Sequence, residues 1–62
     1  MKIEFVFAGG VTYTVTTTKE IASSVQDSMA NKSTLIWFSD YKGDRVEIVK
    51  GNILYVEYKE GN

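Results

Sequence analysis

Apolar residues recur at every second position from Ile3 through Phe5 to Phe7, and again from Val11 through Tyr13 to Val15. A period of two belongs to strands with one buried face, so the pattern predicts two strands joined across Ala8-Gly9-Gly10. Parity selects the loop. A two-residue turn would set Phe7 opposite Thr12 and mix apolar with polar side chains on one face. A three-residue turn pairs Phe7 with Val11, Phe5 with Tyr13 and Ile3 with Val15, and sends Thr12, Thr14 and Thr16 to the other face with Lys2, Glu4 and Val6. Gly10 then takes the left-handed position of that turn.

Beyond the second strand the period changes. Thr17-x-x-Glu20 has the form of a capping box, in which hydroxyl and carboxylate each accept from the other residue's amide. Ile21, Val25 and Met29, with Ala22 beside them, form a narrow apolar stripe at helical spacing. Ser23, Ser24, Gln26, Asp27 and Ser28 make up the opposite face, and Asn31 is the expected left-handed stop.

Leu35-Ile36-Trp37-Phe38 is apolar throughout, which in a short strand implies cover on both faces. Asp40-Tyr41-Lys42-Gly43-Asp44 reads as a loop by composition. With five residues in that loop, Phe38 meets Val46 and Ile36 meets Ile48. Arg45–Val49 and Ile53–Lys59 are expected to form a second hairpin around Lys50-Gly51-Asn52, with Asn52 left-handed. Ile48 would then face Leu54, Val46 face Val56, Val49 face Ile53, Glu47 face Tyr55 and Arg45 face Glu57. The predicted fold is α+β: a small antiparallel sheet of two hairpins plus one strand with a single helix, in the order β-β-α-β-β-β, as one domain over 1–62.

This parity carries the candidate site. One short helix covers one side of a five-stranded sheet, the side holding Ile3, Phe5, Phe7, Ile36, Phe38, Val46, Ile48, Leu54 and Val56. Leu35, Trp37, Val49, Ile53 and Tyr55 are left on the second side as an apolar and aromatic patch, the expected partner-binding surface. The competing expectation is a sheet curled into a small barrel, with these residues as ordinary core.

Composition narrows the chemistry. The 62 residues contain no Cys and no His, which removes the thiol nucleophile, the imidazole base and the common zinc sets. No enzyme is expected, and no catalytic, cofactor-binding or metal-ligating residue. A chain this short buries only roughly 60% of its unfolded surface. With disulfides and His- or Cys-bound metal closed as routes to extra stability, homo-oligomerisation is the expected one. Net charge is −1, with seven basic side chains spread among eight carboxylates, so no phosphate-binding patch is visible. The N-terminal stretch, with Glu4 inside it, reads neither as a signal peptide nor as a membrane span, and the expected location is the cytoplasm.

Other features have plainer explanations. The threonines from Thr12 to Thr18 could offer hydroxyls to a ligand, but Thr is also a common residue on an exposed strand face. Gly9-Gly10 precedes no helix, which excludes a phosphate loop. Asp40 and Asp44 could flank a cation, without the ligand density of an EF-hand. Trp37, Tyr55 and Tyr58 near Arg45 and Lys59 have the makings of a stacking platform for single-stranded nucleic acid, with Glu47, Glu57 and Glu60 offsetting the positive charge.

The stretch Arg45-Val46-Glu47-Ile48-Val49-Lys50-Gly51-Asn52-Ile53-Leu54-Tyr55-Val56-Glu57-Tyr58 resembles the terminal hairpin of many very small proteins encoded by phages and prophages of low-GC Gram-positive bacteria. The resemblance implies an accessory protein made inside an infected cell, inhibiting a host or defence protein or sequestering a signalling molecule. The leading expectation is therefore a homo-oligomeric protein–protein interaction module. The first alternative is a protein that binds or sequesters a small nucleotide-like ligand, and the second is a barrel that binds single-stranded nucleic acid.

Overall fold

The computed structural model describes residues 1–60, so the last two positions of the expected 1–62 domain lie outside the described residues. It contains β1 (Lys2–Phe7), β2 (Thr12–Thr16), helix α1 (Lys19–Ala30), β3 (Leu35–Ser39), β4 (Arg45–Val49), a 3-10 turn (Lys50–Asn52) and β5 (Ile53–Lys59). Class and element order are those expected from the alternation. The strands, however, form two antiparallel sheets instead of one: β2-β1-β5 and β3-β4.

The first hairpin has the register that parity dictates, with Ile3 opposite Val15 and Phe5 opposite Tyr13. Phe7 N–H donates to Val11 at 2.7 Å, closing the three-residue loop. Both Gly9 and Gly10 are left-handed, at φ 88° and 84°, where a Cβ would crowd the following carbonyl oxygen. The β3–β4 register also follows from its five-residue loop, with Ile36 opposite Ile48 and Phe38 opposite Val46. Asp40 holds that loop, its Oδ1 accepting from the amides of Lys42 and Asp44.

The last strand departs from expectation. β5 pairs with β1, setting Ile3 opposite Tyr58 and Phe5 opposite Val56, so β1 lies in the middle of its sheet. None of the Ile48–Leu54, Val46–Val56, Val49–Ile53, Glu47–Tyr55 and Arg45–Glu57 pairs forms. Asn52 is not left-handed. Lys50–Asn52 winds into one 3-10 turn that carries the chain from one sheet to the other. Ala8 N–H donates to the Asn52 carbonyl and fixes this corner against the first hairpin. Between Val6–Tyr55 and Phe7–Ile53 the register slips by one, leaving Leu54 as the extra residue of a bulge, 66% exposed.

Helix α1 starts one residue later than the capping box implies. Thr18 is the N-cap, and its hydroxyl accepts from Ile21 N–H. The Thr17 amide is bound to the Met1 carbonyl as a continuation of the β1–β2 ladder. The other end also differs, because Asn31 is extended (φ −92°) and its side chain instead accepts from Ser33 N–H. The terminal helical carbonyls of Ser28 and the Asn31 carbonyl are met by the ammonium of Lys50, reaching over from the 3-10 turn.

The inner faces of the two sheets and the helix stripe share one core of Ile3, Phe5, Val15, Ala22, Val25, Ile36, Phe38 and Ile48. Phe5 is its centre, with ring centroids of Tyr13 and Phe38 each 6.2 Å away and that of Phe7 at 6.4 Å, all nearly parallel. The contact between Phe5 and Phe38 joins one sheet to the other. The helix therefore completes a core enclosed by two sheets, in place of covering one side of a single sheet.

Candidate functional surface

Leu35, Trp37 and Val49 come together. Leu35 and Val49 are directly opposite across β3–β4, and Trp37 follows Leu35 on the same outward face. They are 44%, 58% and 53% exposed. The expected cover on both faces of β3 is thus present on one face only: Ile36 and Phe38 are buried while their neighbours Leu35 and Trp37 are bare. The face is an outer surface and not a barrel interior.

Ile53 and Tyr55 do not join this cluster. Ile53 packs against the core, because the bulge at Leu54 inverts the expected parity at the start of β5. Tyr55 points out of the other sheet, opposite Val6. Trp37, Tyr55 and Tyr58 form no common stacking row either, since Tyr58 is packed against the core and Trp37 belongs to the two-stranded sheet.

Two charged residues border the apolar cluster. The Arg45 guanidinium stands 4.3 Å from the Trp37 ring centroid, a cation–π contact, and its Nε donates to Glu47 at 2.7 Å. The two charges offset each other, so the surface around Trp37 is close to neutral. The Arg45–Trp37 contact was legible in principle: the five-residue loop places Ser39 opposite Arg45, which puts Arg45 diagonal to Trp37 on the same face.

Beside this face, between α1 and β3, runs an open groove of about 500 Å³. Ser24, Asp27 and Ser28 line it on the helix side, and Trp37, Phe38 and Ser39 on the strand side. The serines were visible in the sequence as an almost uncharged helix face. Their position along β3 follows from the burial of Ala22 and Val25 one turn-face away.

The outer face of the three-stranded sheet is more polar. Thr12, Thr14 and Thr16 are exposed there, as expected of β-branched residues on a solvated strand. Lys59 donates to Glu4 at 3.1 Å, and this hydrogen bond raises the Lys59 pKa. Burial raises the Tyr58 phenol above its ordinary 10.0. It does the same for Tyr13, where the negative charge of Asp40 adds to the effect. No described helix is long and apolar enough to cross a membrane. No protein-family model matches this chain, and no curated protein matches it.

Proposed function

We propose that this chain is a non-enzymatic interaction protein that uses Leu35, Trp37 and Val49 to bind a second copy of itself or another protein, acting in the cytoplasm. The observation that carries the reading is Trp37, more than half exposed beside the Leu35–Val49 pair on a strand that is apolar at every position from Leu35 to Phe38. Exposed tryptophans are enriched among the few residues that carry most of the energy of protein interfaces. The likeness of the Arg45–Tyr58 stretch to small phage proteins supports a host or defence protein as the further partner. That support rests on sequence pattern alone, since β4 and β5 lie in different sheets and are not a hairpin.

Sedimentation of the wild type and of Trp37→Lys tests the reading. Removing an aromatic anchor costs on the order of 2 kcal/mol or more, so association weakens at least about 30-fold while far-UV circular dichroism is unchanged. If both forms are monomers and both capture the same proteins equally, the reading is wrong.

A second reading, a binder of a small nucleotide-like ligand, has one observation in its favour. The groove between α1 and β3 is within the usual size range of ligand pockets and offers an indole wall and two serine hydroxyls. A thermal-shift screen against nucleotides separates the two. A ligand at one hundred times its Kd stabilises the fold by about 2.7 kcal/mol, whereas a surface that takes only proteins gives no shift.

A further inference from the structure

We infer that the free edge of β3 pairs antiparallel with β3 of a second copy, joining two β3–β4 sheets into one of four strands across a two-fold axis centred on Trp37. The inference rests on the reading of the Trp37 face as an interface, and it names both the occupant and the bonds that hold it. Hydrogen-bond parity is the starting point. The Thr34 carbonyl accepts from Lys50 N–H and the Asp40 amide donates to the Asp44 carbonyl, so even-numbered residues of β3 turn their backbone groups toward β4. Those of Leu35, Trp37 and Ser39 therefore point the other way. Among the described residues, the only bond to this outward row is from the Ser33 hydroxyl to the Leu35 carbonyl, which keeps a second lone pair.

Free edges are normally blunted by charge, by a bulge or by a cover. Two other edges follow the rule, β4 with Arg45 and Glu47 and β5 with Glu57, Lys59 and the bulge at Leu54, while β2 is uncharged and presents three polar threonines. β3 also lacks charge, and unlike β2 it runs apolar through four consecutive residues. Nor does the helix fill the space, because Ser24 and Ser28 leave the groove open along Trp37 and Ser39.

An uncharged edge admits a copy of the same strand, and the odd-residue hydrogen-bond parity is self-complementary about Trp37. A two-fold axis sets each residue of the edge against its own kind or its mirror position, so an edge with net charge would repel itself. Leu35–Ser39 itself has none, and Arg45 and Glu47 on the adjoining strand are paired with each other. The other charges near it are the Asp27 carboxylate on the helix side of the groove and Asp40 just past the strand end. Centring on Trp37, the middle residue, places Leu35 opposite Ser39 of the copy. Every outward amide and carbonyl of the five residues is then used, and the bare Leu35–Trp37 faces become continuous across the axis.

Two measurements test this. In the wild type, the amides of Trp37 and Ser39 should exchange with deuterium at least tenfold more slowly at high protein concentration than at low, while the Ile36 and Phe38 amides, which face β4, are protected at both. Ser39→Pro removes one outward donor without touching the β4 ladder or the Leu35, Trp37 and Val49 side chains, and should weaken dimerisation at least tenfold with an unchanged circular dichroism spectrum. A dimer that is broken by Trp37→Lys but keeps its affinity in Ser39→Pro, with Trp37 and Ser39 amides exchanging equally at both concentrations, overturns the edge pairing and leaves the Trp37 face standing as an interface. A wild-type protein that stays monomeric at every concentration with those amides unprotected overturns it outright.

Discussion

Among the described residues, Lys50 supplies the hydrogen bonds that tie the 3-10 corner to the helix end, and Lys50→Met measures their worth. Its ammonium donates to the Ser28 and Asn31 carbonyls, 22 and 19 residues away in sequence. The last turn of α1 contains no basic residue of its own, and the Asn31 amide already serves the Asp27 carbonyl. Methionine keeps most of the aliphatic stem and removes both donors and the charge. A hydrogen bond to a charged group contributes about 1.5–3 kcal/mol where it is well shielded, and a cation at a helix C-terminus about 0.3–1 kcal/mol. Partial exposure and the rotamer entropy of an ordered lysine oppose these gains by up to about 2 kcal/mol. The net loss expected is about 1–2 kcal/mol. For a domain of this size that lowers Tm by roughly 5–15 °C. Urea unfolding followed by circular dichroism checks it, with the m-value unchanged because the same surface is exposed on unfolding. Lys32→Met, at an exposed position, serves as control and should stay within about 0.5 kcal/mol. If Lys50→Met falls inside that same margin, the contact is idle and the helix end is held by packing alone.

Phe38→Ala removes the ring that joins the two sheets and should cost about 3–5 kcal/mol, enough to leave the domain largely unfolded at room temperature by circular dichroism; a cooperative transition within about 1 kcal/mol of wild type would mean the sheets are held together elsewhere. Gly10→Ala, at φ 84°, should lose about 1–2 kcal/mol, whereas Gly51→Ala, with no positive φ and open space around its Cα, should be neutral or gain up to about 1 kcal/mol. Equal effects in chemical denaturation would contradict the turn geometry. The raised Tyr58 pKa favours the neutral phenol in the folded state, so stability is complete below the unfolded value of 10.0 and falls as pH rises through the folded value. Phenolate absorbance titrated alongside denaturation should show this alkaline loss, and Tyr58→Phe should reduce it.

What could be read from the sequence was set by loop length. Ala8–Gly10 and Asp40–Asp44 are short enough to fix the register of the strands they join, so Phe5–Tyr13 and Phe38–Val46 were determined by parity alone. β5 had two partners consistent with the same alternation. Against β4 it would set Val56 opposite Val46, and against β1 it sets Val56 opposite Phe5. A period of two cannot rank them. Pairing with β1 buries Ile3 and Phe5 completely, at 0% exposure, and that gain depends on the whole core. The candidate surface divides along the same line. Leu35, Trp37 and Val49 rested on the β3–β4 loop and belong together, while Ile53 and Tyr55 rested on a hairpin that does not form. The capping box with Glu20 pointed to Thr17, but Thr18 beside it is also able to cap and does so. The Met1 carbonyl decided between them by claiming the Thr17 amide.

The central position of β1 has a kinetic consequence. Its second partner lies almost a full chain length away, as the Lys59–Glu4 contact across 55 residues illustrates. The β1–β2 and β3–β4 hairpins can close on their own, each through a short loop, but the seam between β1 and β5 cannot form until the rest of the chain has been ordered around it. Loop-closure entropy is spent before that seam returns any contact energy, which places this domain among the slower folders of its size. Until β5 docks, the hydrogen-bonding edge of β1 at Lys2, Glu4 and Val6 stands open, so the interval before docking is when the chain is most exposed to pairing with the wrong strand.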